Sequence, residues 1–227
     1  MNPSENQLFK ALVEKAGLKQ EVYSITLDIF NQFKAGVEEL VAGYHKKVKL
    51  HQWNIPFEFN DKGPFYFELR FGGDVLIFLM HTNVFEFPRE HEVMRTSYVK
   101  EDTTRSYCGI IHILNFLADS FNYNRFNDVG YLIGRLFVNR EKHYFIEGKR
   151  EVGLLYDNFS TAVLDRKVIR SIIESAIRYT INFDLLTPPY ENMKEVTVTD
   201  IQTVLESTKI RTGKRLGFRF QADKPEK

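Results

Sequence analysis

Phe65-Tyr66-Phe67-Glu68-Leu69-Arg70-Phe71, then Gly72-Gly73, then Val75-Leu76-Ile77-Phe78-Leu79-Met80 is the stretch that decides the fold. In the first run Phe65, Phe67, Leu69 and Phe71 alternate with Tyr66, Glu68 and Arg70. That period of two sends successive side chains to opposite faces of a half-buried strand. Gly72-Gly73 tolerates the positive φ that a tight hairpin turn demands. The return run, Val75 to Thr82, is apolar on both of its faces, as in the centre of a sheet. Two strands joined this closely must be antiparallel.

Toward the amino end the period changes from two to between three and four. Ser4 with Gln7 has the form of a capping box, Leu8, Leu12 and Ala16 follow at four-residue steps with Phe9 and Val13 beside them, and Gly17 supplies a stop. A second helix is predicted from about Gln20 to about Leu50 on the stripe Val22, Ile25, Ile29, Phe33, Val37, Leu40, Tyr44 and Val48. At ~1.5 Å per residue it would be roughly 45 Å long, more than a small sheet can cover. It is expected to bend at Gly36 or Gly43, or to meet a second copy of the chain.

Toward the carboxyl end a polar connection containing Pro88 and the cluster Arg89-Glu90-His91-Glu92 leads to an expected short strand at Ser97 to Lys100. Tyr107 to Phe121 fits helix or strand and reads as strand on its β-branched content, with Asn122 to Asp128 as its exit loop. Tyr131 to Val138 and His143 to Glu147 form a second hairpin through Asn139-Arg140-Glu141-Lys142. Helix then returns: Val168-Ile169, Ile172-Ile173 and Ala176-Ile177 repeat at four-residue steps until Pro188-Pro189, and are expected to pack on that hairpin. Thr199 with Gln202 caps a short helix, and a basic tail follows from Lys209. The fold class is α+β: an antiparallel meander of about five to six strands, flanked by N-terminal helices and a C-terminal helical segment. The expected single domain divides into a helical segment (1–50), the sheet (56–150), a helical segment (160–207) and the tail (208–227).

Composition narrows the function. The 227 residues are 43% hydrophobic and 27% charged, with 31 Lys plus Arg against 30 Asp plus Glu, so a core is affordable and no global field selects nucleic acid or an anionic membrane. The single cysteine, Cys108, excludes an internal disulfide framework and a multi-cysteine zinc site. No run reaches the ~18 apolar residues of a membrane span, and Ser4-Glu5-Asn6-Gln7 is polar where a secretory leader needs an apolar region, so the expectation is a cytoplasmic protein without a membrane partner.

No catalytic motif stands out. The histidines, His45, His51, His81, His91, His112 and His143, show no metal-ligand spacing; Arg95 stands where a second ligand would follow His91-Glu92. Cys108 and His112, four apart on a strand, would lie roughly 13 Å from each other, too far for a thiolate–imidazole pair. The leading expectation is therefore a protein that binds a small ligand or a protein partner, with no cofactor. Its aromatic-lined sheet could enclose a pocket.

The alternative rests on Tyr144-Phe145-Ile146-Glu147-Gly148-Lys149, a hydrophobic strand ending in Glu-x-Lys, with Asp128 before the preceding strand. Over about thirty residues this resembles the PD-(D/E)xK nucleases, although no proline precedes Asp128 and the middle residue is Gly148. The resemblance implies Mg²⁺ held by Asp128 and Glu147, with Lys149 orienting the attacking water. In the tail, Arg211, Lys214, Arg215 and Arg219 interleave with Leu216, Phe218 and Phe220, a pattern suited to a ligand phosphate or a nucleic acid and equally to a charge-protected edge strand.

Overall fold

Three strands built on the phenylalanine alternation open the sheet: β1 (Phe57–Asp61), β2 (Tyr66–Phe71) and β3 (Asp74–Met80). β4 (Phe85–Glu86), β5 (Tyr107–Leu117), β6 (Tyr131–Asn139) and β7 (Tyr144–Gly148) complete a seven-stranded sheet in the order β1-β2-β3-β5-β6-β7. Every pairing is antiparallel. β3 ends where Met80 opposes Ile111, and β4 resumes the same lane where Phe85 opposes Cys108. The computed structural model describes residues 3–48, 55–148 and 158–185, together with 187, 189–192, 194, 195 and 197–199. Lys149, Arg211, Lys214, Arg215 and Arg219 lie outside the described residues, as does most of the short helix expected from Thr199.

The two expected N-terminal helices are one. α1 runs unbroken from Pro3 to Val48, 46 residues, or about 69 Å at ~1.5 Å per residue. Gly17 does not take the positive φ of a helix-ending glycine, and its cost of up to ~1 kcal/mol relative to Ala is less than the packing that follows it provides. From Val22 onward the stripe is core: Val22, Ile29, Phe30, Phe33 and Val37 are fully buried. α1 meets β5 at Gly109, where a Cβ would overlap the side chain of buried Thr26.

Among the described residues, three further α-helices follow, two of them five residues long. α2 (Ser97–Glu101) replaces the strand expected at Ser97 to Lys100, because Thr96 is an N-cap whose hydroxyl accepts from the Val99 N–H. α3 (Ala118–Asn122) takes the last turn of the segment read as strand through Phe121; β5 itself ends at Leu117. α4 (Arg166–Ile181) forms where the paired isoleucines predict it, capped by the Asp165 carboxylate, which accepts from the Val168 N–H at 2.7 Å. Ile172, Ile173 and Ala176 are fully buried. Their neighbour differs from the expectation: α4 lies chiefly along α1, with Ile173 Cδ1 3.1 Å from where a Gly36 Cβ would stand. The hairpin's Ile133, Leu136 and Ile146 share the same core beneath both helices.

Alternation therefore splits the sheet into two faces. Phe67, Leu69, Leu76, Phe78, Met80, Ile111, Ile113, Leu136, Val138 and Ile146 point to the helices and form the main core.

Candidate functional site

Among the described residues, the opposite face is covered only at its two ends. At one end, the chain between β3 and β5 folds back as a 3₁₀ turn (Glu92–Arg95), α2 and a second 3₁₀ turn (Thr103–Ser106). Their polar residues act as caps: His91 Nδ1 accepts from the Val93 N–H, and Asp102 from the Thr104 N–H at 2.9 Å. Beneath them Phe87, Val93, Val99, Cys108, Ile110, Phe137, Phe145 and Phe159 make a second, mostly aromatic core. The excursion is clamped to the β6–β7 hairpin. Tyr98 stacks on His143 at 4.4 Å, its hydroxyl donates to Glu141 at 2.7 Å and accepts from Asn139, and the Arg105 guanidinium lies 4.3 Å from its ring. Burial, with the Glu141 carboxylate alongside, pushes the Tyr98 hydroxyl up, so it stays a proton donor. At the other end, Arg70 reaches α3, with its guanidinium over Phe121 and a hydrogen bond to Asn122.

Between these covers a polar row crosses the sheet. Tyr66 opposes Leu79, Leu79 opposes His112, His112 opposes Arg135, and Arg135 opposes Glu147. Side chains on one face at paired positions stand about 5 Å apart, so the row is continuous. Arg135 donates to one Glu147 oxygen through Nε at 2.9 Å and also through Nη2, while His91 Nε2 stands 3.5 Å from the other oxygen. His81 flanks the row, with Nδ1 accepting from the Asn83 N–H at 3.0 Å and its ring edge on Phe85. Partial burial first, then the charges of Arg135 and His81, hold the His112 pKa below its ordinary 6.5, so its neutral form dominates at neutral pH. Leu79 is 38% exposed, and His81, His112, Leu114 and Arg135 are half-buried.

Beside the row a cavity of about 230 Å³ enters the second core. Phe87, Cys108, Ile110 and Phe137 form its buried wall, and exposed Phe85 and Glu86 with half-buried His91, Arg135 and Glu147 its rim. Burial pushes the Cys108 thiol well up, leaving it an inert apolar wall rather than a nucleophile. A wider groove of about 720 Å³ opens between α1, α4 and the β2–β3 turn, lined by Leu40, Tyr44, Phe57, Phe71, Ile177 and Arg178 among others. Its wall carries little polar surface, and the Arg170–Glu174 pair beside it is satisfied internally at 2.5 Å. The row and its cavity combine an apolar wall with converging polar groups, the pattern of a ligand site.

Of the residues singled out in the sequence, Glu147 lies in this row. Asp128 does not. It is almost fully buried in the loop between α3 and β6, 3.0 Å from Arg125 Nε and accepting from the Ser120 hydroxyl at 2.7 Å. Arg135, the partner of Glu147, stands four residues into β6, roughly 13 Å along the strand from its start, and Asp128 precedes that start. The two carboxylates thus occupy separate ion pairs. Among the described residues no group of three or more His, Cys, Asp or Glu could hold a metal ion, and no helix is long and apolar enough to cross a membrane. Two of the residues that sequence reasoning missed carry a signal in it: His112 interrupts Ile110-Ile111 and Ile113-Leu114, and Arg135 interrupts the apolar run of β6.

The amino end of α1 carries the other unpartnered surface. Residues 6–17 are exposed all round, and Leu8, Phe9, Leu12 and Val13 form an apolar patch over one and a half turns, each at least half exposed. No family model matches the chain, and neither a curated protein nor a solved structure matches it.

Proposed function

We propose that the protein is a ligand-binding protein whose site is the open face of its sheet, centred on His112 and Arg135. The observation that carries this reading is the polar row beside an apolar cavity on a face whose ends are covered and whose middle is not. A ligand-observed NMR screen of small fragments against the wild type and a His112→Gln/Arg135→Gln variant tests it. Hits that vanish in the variant are expected. Hits retained at full strength would place binding elsewhere, with the groove between α1 and α4 the first alternative.

A second binding surface is favoured by the exposed patch on α1. A helical stretch as short as residues 6–17 is marginal in water without tertiary cover, and a second copy of the chain would supply it. The surface for such pairing is Leu8, Phe9, Leu12 and Val13, since the stripe from Val22 onward is used within the chain. Sedimentation of the wild type against Leu12→Glu reads it: a concentration-dependent dimer abolished by the substitution is expected, and a monomer at high micromolar concentration contradicts it. The nuclease alternative, with Mg²⁺ at Asp128 and Glu147 and Lys149 orienting the attacking water, is separated from both by assaying DNA and RNA cleavage with Mg²⁺ or Mn²⁺. Activity abolished by Lys149→Ala at unchanged melting temperature would support the nuclease, and absence of cleavage would remove it. Partners of the basic tail, nucleic acid included, are tested by binding to the chain truncated after residue 208.

A further inference from the structure

We infer that the site takes a small organic anion, with a carboxylate or phosphate head over His81, His112 and Arg135 and an aryl or short alkyl tail in the cavity beside them. This inference rests on the binding reading given above and specifies its ligand.

The head follows from the distribution of charge. Among the described residues, the ionisable side chains other than tyrosine that face this region or line its cavity are Glu68 and Arg70 from β2, His81 after β3, Glu86 from β4, His91 from the excursion, His112 from β5, Arg135 from β6 and Glu147 from β7. The acids are all engaged. Glu68 accepts from the Tyr66 hydroxyl at 2.7 Å and pairs with Arg70 at 3.2 Å; Glu86 accepts from the Tyr107 hydroxyl; Glu147 is taken by Arg135 and His91. His81 and His112 lie on the Arg135 side away from Glu147, so basic groups cluster there with no acid between them. Arg135 commits two donors to Glu147, and a guanidinium has five. An anion over this cluster meets the guanidinium of Arg135 with no acid between, and it favours protonation of His112.

The tail follows from the cavity. Its buried wall is Phe87, Cys108, Ile110 and Phe137, and the charged side chains at its rim are already partnered: Glu86 accepts from Tyr107, and Glu147 is held by Arg135 and His91. A dry cavity of about 150 Å³ already admits a benzene ring. About 230 Å³ therefore accommodates a phenyl ring with a short link, or a short alkyl chain, and is below the ~300–1,000 Å³ of sites for larger ligands. Each methylene buried there should strengthen binding by roughly fourfold.

The test is isothermal titration of the intact chain with acetate, 3-phenylpropionate, phenyl phosphate and the neutral 3-phenylpropanamide. The expected result is that 3-phenylpropionate or phenyl phosphate binds at least tenfold more tightly than both acetate and the amide. The tighter of the two aromatic anions identifies the head. Affinity for 3-phenylpropionate should rise several-fold from pH 8 to pH 6, as His112 takes up a proton. Arg135→Gln should remove most of the anion's advantage over the amide, and His112→Asn should flatten the pH dependence; the second variant leaves the Arg135–Glu147 pair in place. Equal binding of anion and amide would overturn the anionic head while leaving a binding face. Equal binding of acetate and 3-phenylpropionate would overturn the tail. If no probe binds and the fragment screen also finds none, the inference and the binding reading both fail.

Discussion

The two faces of the sheet are made by the same strands and differ only at alternate residues. On β5, Ile111 and Ile113 are fully buried beneath α1, whereas His112 between them stands half-buried in the polar row. On β3, Leu76 is fully buried and Leu79 is 38% exposed. The helix face closes because α1 and α4 bring two apolar stripes to it and nothing in it must be hydrated. The other face is capped at its ends by short segments, and its centre carries groups that water or a ligand must satisfy. The main core thus lies on one side of the β strands, and the polar row, with a smaller core at one end, lies on the other.

The largest expected effects lie on the helix face. Leu76→Ala, Ile172→Ala and Ile173→Ala should each cost about 2–5 kcal/mol in denaturant titrations, through lost transfer energy and the cavity left behind. Leu79→Ala, on the open face, should cost well under 2 kcal/mol; equal losses for Leu76 and Leu79 would erase the distinction. Gly109→Ala should cost about 1–3 kcal/mol, because the new methyl must displace Thr26 or lift α1 from β5. Pairing it with Thr26→Ala should recover part of that loss, and no recovery would mean that the strain lies elsewhere. On the cover of the binding face, Thr96→Ala should cost about 1 kcal/mol by uncapping α2.

Much of this contrast was legible in the sequence. The Phe65–Phe71 alternation, the β6–β7 hairpin and the paired isoleucines of α4 each carry a strong local period, and each element forms where that period predicts it. What the sequence hid depended on long-range packing. Gly17 reads as a stop only until the packed stretch from Val22 carries the helix through it. The strand expected at Ser97 became a helix because Thr96 caps it. α4 chose α1 because Gly36 leaves room for Ile173. The site was hidden for a similar reason: Glu147 was noticed beside Lys149 in sequence, but its neighbours in space, Arg135 and His91, come from another strand and from the excursion.

Acid should weaken the fold in two steps. His112 has a folded pKa below its ordinary 6.5, so the unfolded chain binds its proton first, and stability present above pH 6.5 declines as the pH falls through the folded value. Asp61, hydrogen-bonded by Lys34, and Asp102, by the Thr104 hydroxyl and N–H, are both held below 3.8, so their contribution is present above 3.8 and is lost below it. His112→Asn should abolish the first step alone in melting curves taken across this range. A first step that survives the substitution would assign it to another histidine. The smallest effect belongs to Arg170→Ala, whose pair with Glu174 is about half exposed and should be worth under ~0.5 kcal/mol.

The division of labour between the faces is tested most directly by methyl NMR of the intact protein during addition of 3-phenylpropionate. Ile110, Leu79 and Leu114 face the row and its cavity, while Ile111, Ile113 and Leu76 face the helices from the same two strands. Shifts at the first three with the second three unmoved are the expected result. Shifts confined to Ile111, Ile113 and Leu76, or to Ile177 in the groove beside α4, would show that the ligand binds on the helix side and that the open face is not the site.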